Sequence, residues 1–402
     1  MPKVLRIMNR LNLGGPTFNA AYLTKYLAPD FETVLLSGQK DDSEASSEFI
    51  VNELGIQPRY IRSMYRSLNP FKDLAAYYEI KQIIKDFKPD IVHTHAAKSG
   101  ALGRLAAINS GVPIIIHTFH GHVFHSYFGR LKSTIFLQIE RFLAKRTTKI
   151  ITISETQRYE LAEVFKVAPL SKFALVPLGF DLDRFRTNQE EKRKKFRTEF
   201  GIDDDTVCIG IVGRLVPVKN HALFLRAIKY LTGNTTQKFC AFIVGDGESR
   251  SEIEELATKL GLSFETPPQY KRENQTTPHL IFTSWRRDID CVNAGMDIIA
   301  LTSFNEGTPV SLIEAQAANK AIVSTRVGGI NDIVIEHKTA LLSEKGDENG
   351  FFRNLLLMVD DSSVRSAFGR DGFAFVWENF SYQRLVKDTK DLYEKLLKEK
   401  HR

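Results

Sequence analysis

The chain has 402 residues, 43% of them hydrophobic and 26% charged, enough for a buried core in two or three domains and inconsistent with a disordered or fibrous protein. No apolar run approaches the roughly 18 uncharged residues needed to span a bilayer. The start MPKVLRIMNRL has no signal-peptide pattern, and Cys208, Cys240 and Cys291 are too scattered for a disulfide framework or thiolate metal site, so the expected compartment is the reducing cytoplasm. The net charge of +7 is uneven: residues 1–180 hold 23 basic and 15 acidic side chains, and 54–149 hold 15 and 5. The N-terminal half is therefore expected to meet an anionic partner, whether a phospholipid surface, a phosphorylated acceptor or nucleic acid, unless Lys81, Lys85 and Lys88 merely form a solvated stripe.

Along the chain, strand and helix alternate. Val4 to Met8 leads into Gly14-Gly15-Pro16 and an amphipathic helix through Phe18, Ala21, Tyr22 and Leu27. TVLLS (33–37), a helix near Phe49 to Leu54 and a helix from Pro70 to Phe87 precede IVHTH (91–95). A helix over Ala97–Asn109, PIIIHTF (113–119), a helix over Leu131–Arg146, KIITIS (149–154), a helix from Thr156 and FALVP (173–177) complete the first series. The rhythm breaks at LGFDLDRF and the polar, basic stretch Thr187–Lys195. A second series then begins with VCIGIVG (207–213) and runs through helix Leu223–Leu231, CAFIVG (240–245), helix Ile253–Leu260, HLIFTS (279–284), MDIIALTS (296–303), a helix after Pro309, KAIVST (320–325) and a helix near Ile330. Helices at about 349–359, 362–377 and 383–400 close the chain. Short β-branched runs separated by helices indicate buried parallel strands, hence an α/β protein of two doubly wound Rossmann-like domains, 1–180 and 181–380, facing a central cleft, with 381–402 as a terminal helix.

Four motifs follow strands, where open parallel sheets bind ligands. In Asn305-Glu306-Gly307-Thr308-Pro309-Val310-Ser311-Leu312-Ile313-Glu314, Thr308 is the expected N-cap and Pro309 the first helical residue, leaving the amides of Val310, Ser311 and Leu312 for an anion. Glu306 and Glu314 flank that helix start and can accept hydrogen bonds from sugar or ribose hydroxyls. Gly213-Arg214-Leu215-Val216-Pro217-Val218-Lys219 pairs a planar guanidinium with a compact ammonium, a combination suited to a diphosphate. Gly245-Asp246-Gly247-Glu248 is either a ligand-approach loop or a structural turn. Gly14-Gly15 can bring backbone against the same phosphates but lacks the third glycine of a dinucleotide fingerprint.

In combination and in order, the GG loop, VHTH (92–95), TFHGH (118–122), G-R-L with Lys219, VGDGE (244–248), the E-x7-E pair and VGGINDIV (327–334) resemble the retaining GT-B glycosyltransferases of family four. The resemblance implies a transferase using a nucleotide-diphosphate sugar, with UDP-GlcNAc or a related hexose donor as the expected form. It places Arg214 and Lys219 on the diphosphate, Glu314 on the ribose, Glu306 on the donor sugar, Gly14 and Gly15 against the phosphates, the backbone after Trp285-Arg286 by the nucleobase, and the final helix back on the N-terminal domain. It also selects His120, from TFHGH, as the histidine nearest the reaction centre. The expected pathway is envelope or exopolysaccharide assembly.

His93, His95, His117, His120, His122 and His125 allow a zinc reading by ligand type, but no carboxylate or cysteine joins them, and hydrogen-bonding roles are preferred, with His93 and His117 read as sheet residues. Asp181-Leu182-Asp183, Asp203-Asp204-Asp205 and Asp288-Ile289-Asp290 spell D-x-D, yet each reads as a turn or cap, with Asp288 capping the following helix. Metal-independent catalysis without a cofactor is expected, the phosphates being neutralised by Arg214, Lys219 and the helix start. For the acceptor, His95, Lys98, Ser99, Arg104 and His122 offer amides and cations to a glycan or a polyprenyl-diphosphate-linked sugar, and Phe124–Lys132 offers aromatic and basic side chains to an anionic inner membrane face. Two other classes stand beside this one: a nucleotide-sugar epimerase or hydrolase of the same architecture, and a basic nucleic-acid-binding protein, for which no motif is present.

Overall fold

The computed structural model describes residues 1–11, 15–28, 30–39, 48–65, 67–121, 130–267 and 278–400, with the side chains of 130–133 excepted. The chain divides into two compact units, Met1–Phe180 with Phe380–Arg402, and Asp181–Asn379.

In the first unit, β1 (Lys3–Met8), β2 (Glu32–Gly38), β3 (Arg59–Ile61), β4 (Ile91–His95), β5 (Ile114–Phe119), β6 (Lys149–Thr152) and β7 (Phe173–Leu175) form one parallel sheet in the order β3-β2-β1-β4-β5-β6-β7. Val4, Leu5 and Ile7 have no exposed surface because both sheet faces are covered, which is why β1 reads as a continuous apolar run. Helices Pro70–Phe87, Ala97–Asn109 and Arg130–Arg146 lie on one face, and helices Gly15–Tyr26 and Tyr382–Lys400 on the other. The first of these begins where Asn69 accepts from the amides of Phe71 and Lys72 with Pro70 in the first turn, and ends at Lys88 in the left-handed region. The last turns Leu385, Thr389, Tyr393 and Leu396 inward at helical spacing, onto Val4, Ile91 and Ile116.

The second unit repeats the plan. β8 (Val207–Val212), β9 (Phe239–Val244), β10 (Phe264–Glu265), β11 (Leu280–Ser284), β12 (Ile298–Leu301), β13 (Ala321–Arg326) and β14 (Ala340–Glu344) are parallel in the order β10-β11-β9-β8-β12-β13-β14. Three strands, β3, β10 and β14, are absent from the sequence reading; all are sheet edges, and the first two are only three and two residues long. The polar stretch read as a break at 187–195 is mostly helix, Gln189–Glu199, whose lone aromatic Phe196 is fully buried among Phe200 and Phe242. In each sheet the strand order reverses beside the first strand, between β1 and β4 and between β8 and β12. Loops leaving the carboxyl ends of those strands part at that point and open a crevice.

Candidate active site

At the second reversal the loop after β8 meets the loop after β12. Lys219 closes the short helix Pro217–Lys219, and its Nζ lies 2.6 Å from Glu306 Oε1. Ser303 Oγ donates to that same oxygen at 2.5 Å, so both contacts converge on Oε1 and Oε2 is left open among the described residues. The loops are stitched together beneath the pair: Thr302 Oγ1 donates to the carbonyls of Lys219 and Asn220 at 2.9 Å, and the amide of Phe304 donates to Val218 O at 2.9 Å. Gly328, at φ 51°, fits behind this loop because a Cβ there would fall 1.9 Å from Glu306 O; this is the physical content of VGG.

Arg214, in the same loop as Lys219, is exposed and has no ion-pair partner among the described residues. Its guanidinium is free for an anion, whereas Lys219 must share itself with Glu306. The helix after Pro309 starts at Val310, with Pro309 rather than Thr308 at the cap and no side-chain cap. Since Pro309 has no N–H and Leu312 donates to Pro309 O at 3.1 Å, the open amides are those of Val310 and Ser311, two rather than the three expected.

Eight residues beyond Glu306, Glu314 faces Arg184 across 3.3 Å. Burial pushes its carboxyl up to about 7, against the pull of Arg184 and with Asp290 adding to the rise. Gly245 is needed for packing: at φ 137° a Cβ would sit 1.9 Å from Gly213 O, so only glycine lets the β9 loop close against the β8 loop. Asp246 latches that turn, accepting from Ser284 Oγ at 2.6 Å and from the Gly247 amide at 2.8 Å. Trp285 is 61% exposed, an unpacked aromatic face at the end of β11. Arg286 is not available to a ligand through its side chain, which is clamped between Glu199 and Asp288 and lies over Phe196 and Phe200. For the same reason Asp288 stands at the cap position of Ile289–Gly295 without capping it. In each D-x-D segment at least one carboxylate is engaged: Asp181 accepts from the Asp183 amide, Asp205 pairs with Lys238 at 2.8 Å and Asp290 with Lys192 at 2.9 Å.

In the first unit the histidines of β4 and β5 divide between the sheet faces. His117 turns one way and meets Thr94 Oγ1 at 2.8 Å through Nδ1. His93 and His95 turn the other way and stack at 4.3 Å; His93 bridges Tyr393 Oη at 2.5 Å and Thr118 Oγ1 at 2.7 Å. Tyr393 Oη also accepts from Arg6 at 3.2 Å, so the terminal helix is bonded directly to the strand that carries the site histidines. His95 Nδ1 lies 2.9 Å from His120 Nε2, and His95 Nε2 and His120 Nδ1 are buried without a partner among the described residues. Burial holds His95 well below the usual imidazole range and brings His120 down to about 3, so both are neutral at pH 7. With one proton between the rings in either tautomer, the two outer nitrogens are one N–H and one lone pair, both buried.

The remaining acceptor candidates are tied up. Arg104 has no exposed surface, since its NH2 meets both oxygens of Glu140 at 2.7 and 2.8 Å, and it holds the helix rather than a ligand. Lys98 is paired with Asp73 at 2.5 Å and donates to Ser67 O, and the hydroxyl of buried Ser99 donates to His95 O. Gly15 opens its helix 3.0 Å from Leu178 for any added Cβ; Gly14, His122 and the segment 124–129 lie outside the described residues. Thr302, Ser303, Arg184 and Tyr393 were not found by sequence reasoning. The polar end of MDIIALTS was the available signal for the first two; the others are brought in only by folding.

Comparison with known proteins supplies the context. Residues 13–184 match the model described as Glycosyltransferase Family 4, and residues 192–374 the model described as Glycosyl transferases group 1. The chain is 30% identical over 337 residues to UDP-Gal:alpha-D-GlcNAc-diphosphoundecaprenol alpha-1,3-galactosyltransferase of Escherichia coli, an alignment covering 83% of this chain and 82% of that one. It is 24% identical to the capsular polysaccharide biosynthesis glycosyltransferase CapM of Staphylococcus aureus, over 85% and 86% of the two chains. Among solved structures, Anabaena HepE in complex with UDP superposes with a TM-score of 0.80 at 18% identity, covering 98% of this chain and all of that one, a likeness of GT-B fold.

Proposed function

The chain belongs to the family-four glycosyltransferases, and we propose that it transfers a hexose from a UDP-linked donor to a hydroxyl of a glycan carried on a lipid diphosphate, in envelope or exopolysaccharide assembly. The observation that carries the reading is the Lys219–Glu306 pair at a sheet reversal, beside a helix start with two open amides and a free arginine in the same loop. The donor chemistry is supported by the Escherichia coli relative, whose name specifies UDP-galactose and a diphosphoundecaprenol acceptor, and by the UDP complex of HepE.

In this mechanism Arg214, Lys219 and the amides of Val310 and Ser311 take the charge that grows on the departing diphosphate, a role that ordinarily falls to fixed cations and amides when no metal takes part. Lys219 exchanges part of its pairing with Glu306 for a phosphate oxygen, leaving Glu306 free to accept from a donor-sugar hydroxyl and to stabilise positive charge at the anomeric carbon. Glu314, when ionised, accepts from the ribose hydroxyls. Trp285 and the backbone after it lie by the base. The neutral His120, held by His95, hydrogen-bonds a sugar or acceptor hydroxyl without adding charge. The family likeness implies retention: with no side chain assigned as nucleophile, the acceptor hydroxyl attacks on the face the diphosphate leaves as the anomeric C–O bond breaks, and its proton passes to the departing phosphate oxygen. The working location is the cytoplasmic face of an anionic membrane, where lipid-linked acceptors are held.

The test is turnover of UDP-galactose, UDP-glucose and UDP-GlcNAc with a polyprenyl-diphosphate sugar in the presence of chelator, with the anomeric configuration of the product read by NMR. A product linked α from an α donor is expected. A β product, a strict metal requirement or rapid donor hydrolysis without acceptor contradicts the corresponding part of the reading.

A further inference from the structure

The Asp181-Leu182-Asp183 turn runs on into a short helix, Asp183–Arg186, that packs against Val310–Ala317, the helix carrying Glu314, and against Ile289–Gly295. Leu182 and Phe185 are buried on its inner side. Two side chains of the following helix, Gln189–Glu199, hold its backbone: Gln189 Nε2 donates to Phe185 O, and Lys192 Nζ donates to Arg184 O. Arg184 is therefore presented from an anchored backbone. Its guanidinium lies 4.7 Å from the centre of the Phe185 ring, and its NH2 lies 3.3 Å from Glu314 Oε1. No other cation pairs with Glu314 among the described residues, and Oε2 of that carboxylate is left open.

The two partners stand in unlike surroundings, the Arg184 side chain being 46% exposed and that of Glu314 only 18%. A half-exposed ion pair adds little to a fold, but a carboxylate held largely out of water needs a fixed counter-charge to stay ionised. The neighbouring charges do not supply it. On the short helix, Asp183 and Arg186 pair with each other at 3.4 Å, and at the end of the adjoining strand β13 Arg326 is held by Glu336 and Glu344. On Ile289–Gly295, Asp290 repels the carboxylate and is itself paired with Lys192 at 2.9 Å. Lys192 thus fixes the carbonyl of Arg184 and neutralises the acid that opposes ionisation of Glu314. We propose that Arg184 is a positioning residue for ribose recognition: it holds one oxygen of the Glu314 carboxylate and leaves the other to accept from a ribose hydroxyl of the donor nucleotide. The inference rests on the assignment of Glu314 to the ribose. The charge of Arg184 also works against the rise that burial and Asp290 impose on the carboxyl, which stands at about 7.

Calorimetric titration of the full chain with UDP and with dideoxy-UDP, which lacks both ribose hydroxyls, tests it below and above pH 7. The proteins are the wild type, Arg184→Gln, Arg184→Lys, Glu314→Gln and the double variant Arg184→Gln with Glu314→Gln. The wild type is expected to prefer UDP. Arg184→Gln is expected to weaken UDP about fivefold at pH 7, the upper worth of a half-exposed ion pair, with dideoxy-UDP affinity and melting temperature unchanged. That loss shrinks as pH rises, because Glu314 then ionises unaided, so the midpoint of the affinity profile moves up. Arg184→Lys keeps the charge and returns the midpoint toward that of the wild type. In Glu314→Gln, adding Arg184→Gln has no further effect. Equal loss of both nucleotides at every pH, or a loss that persists in the Glu314→Gln background, overturns the inference, since the guanidinium then acts on the diphosphate or on the fold. Unchanged UDP affinity in Arg184→Gln, in a protein that distinguishes the two nucleotides, overturns this inference alone. A wild type that binds both alike, or neither, removes the ribose role of Glu314 and this inference with it.

Discussion

Glu306 has one carboxylate oxygen committed to Lys219 and Ser303 and one open, and the guanidinium of Arg214, in the loop that carries Lys219, has no partner among the described residues. That asymmetry makes Arg214 the cleanest residue to remove. Arg214→Ala is expected to lower UDP affinity about tenfold to a hundredfold, the worth of a charge-assisted hydrogen bond, while leaving the melting temperature unchanged because nothing in the fold relies on it. Glu314 gives a pH signature. Its carboxyl, pushed up to about 7 by burial, must lose a proton before it can accept from ribose hydroxyls, so UDP affinity measured by calorimetry should fall as pH drops through 7 and stay flat in Glu314→Gln. The folded state holds that proton more tightly than the unfolded chain, so this group's contribution to stability declines as pH rises from about 4.5 to 7, opposite to the affinity trend. Arg214, Lys219 and Glu306 were legible as charged residues in the loops past strand ends, and Glu314 by its spacing from Glu306. Arg104 and Lys98 looked equivalent by the same criterion, and only their partners Glu140 and Asp73, distant in sequence, mark them as structural.

At the level of elements, buried strands declared themselves as β-branched runs, while the edge strands β3 and β10 were too short to leave a pattern and β14, ALLSE, lacks β-branched residues. Helix Gln189–Glu199 was hidden by its charge, since a single buried aromatic, Phe196, and the bonds of Arg193 and Arg197 to Asp297, distant in sequence, anchor it. Two loops depend on atoms that are easy to alter. Gly245→Ala places a methyl 1.9 Å from Gly213 O, so the β9 and β8 loops must part; loss of UDP binding together with a lowered melting temperature is the expected result. Tyr393→Phe removes the hydroxyl that His93 and Arg6 share and leaves both buried groups short of a partner. It is expected to cost about 1–3 kcal/mol in urea unfolding and to lower kcat with little change in UDP affinity, because the strand it steadies carries His95 and not the diphosphate site.

For the whole molecule, the sequence order and the spatial order of the chain differ in one respect that matters: residues 380–402 belong to the first unit. Leu385, Tyr393 and Leu396 cover Val4, Ile91 and Ile116, so a chain ending at residue 379 is expected to aggregate or lose cooperative unfolding of that unit, as followed by circular dichroism and light scattering. The central claim, however, concerns the second unit, where the loop after β8 carries a free arginine and a shared lysine and the loop after β12 leads into a helix start with two open amides. Calorimetric titration of the full chain with UDP, GDP and ADP in chelator, on the wild type and on Arg214→Ala, addresses it directly. Selective binding of UDP that survives chelator and weakens at least about tenfold in the variant is the predicted result. Equal affinity in the variant, binding only with added metal, or no binding of any of the three contradicts the donor site described here.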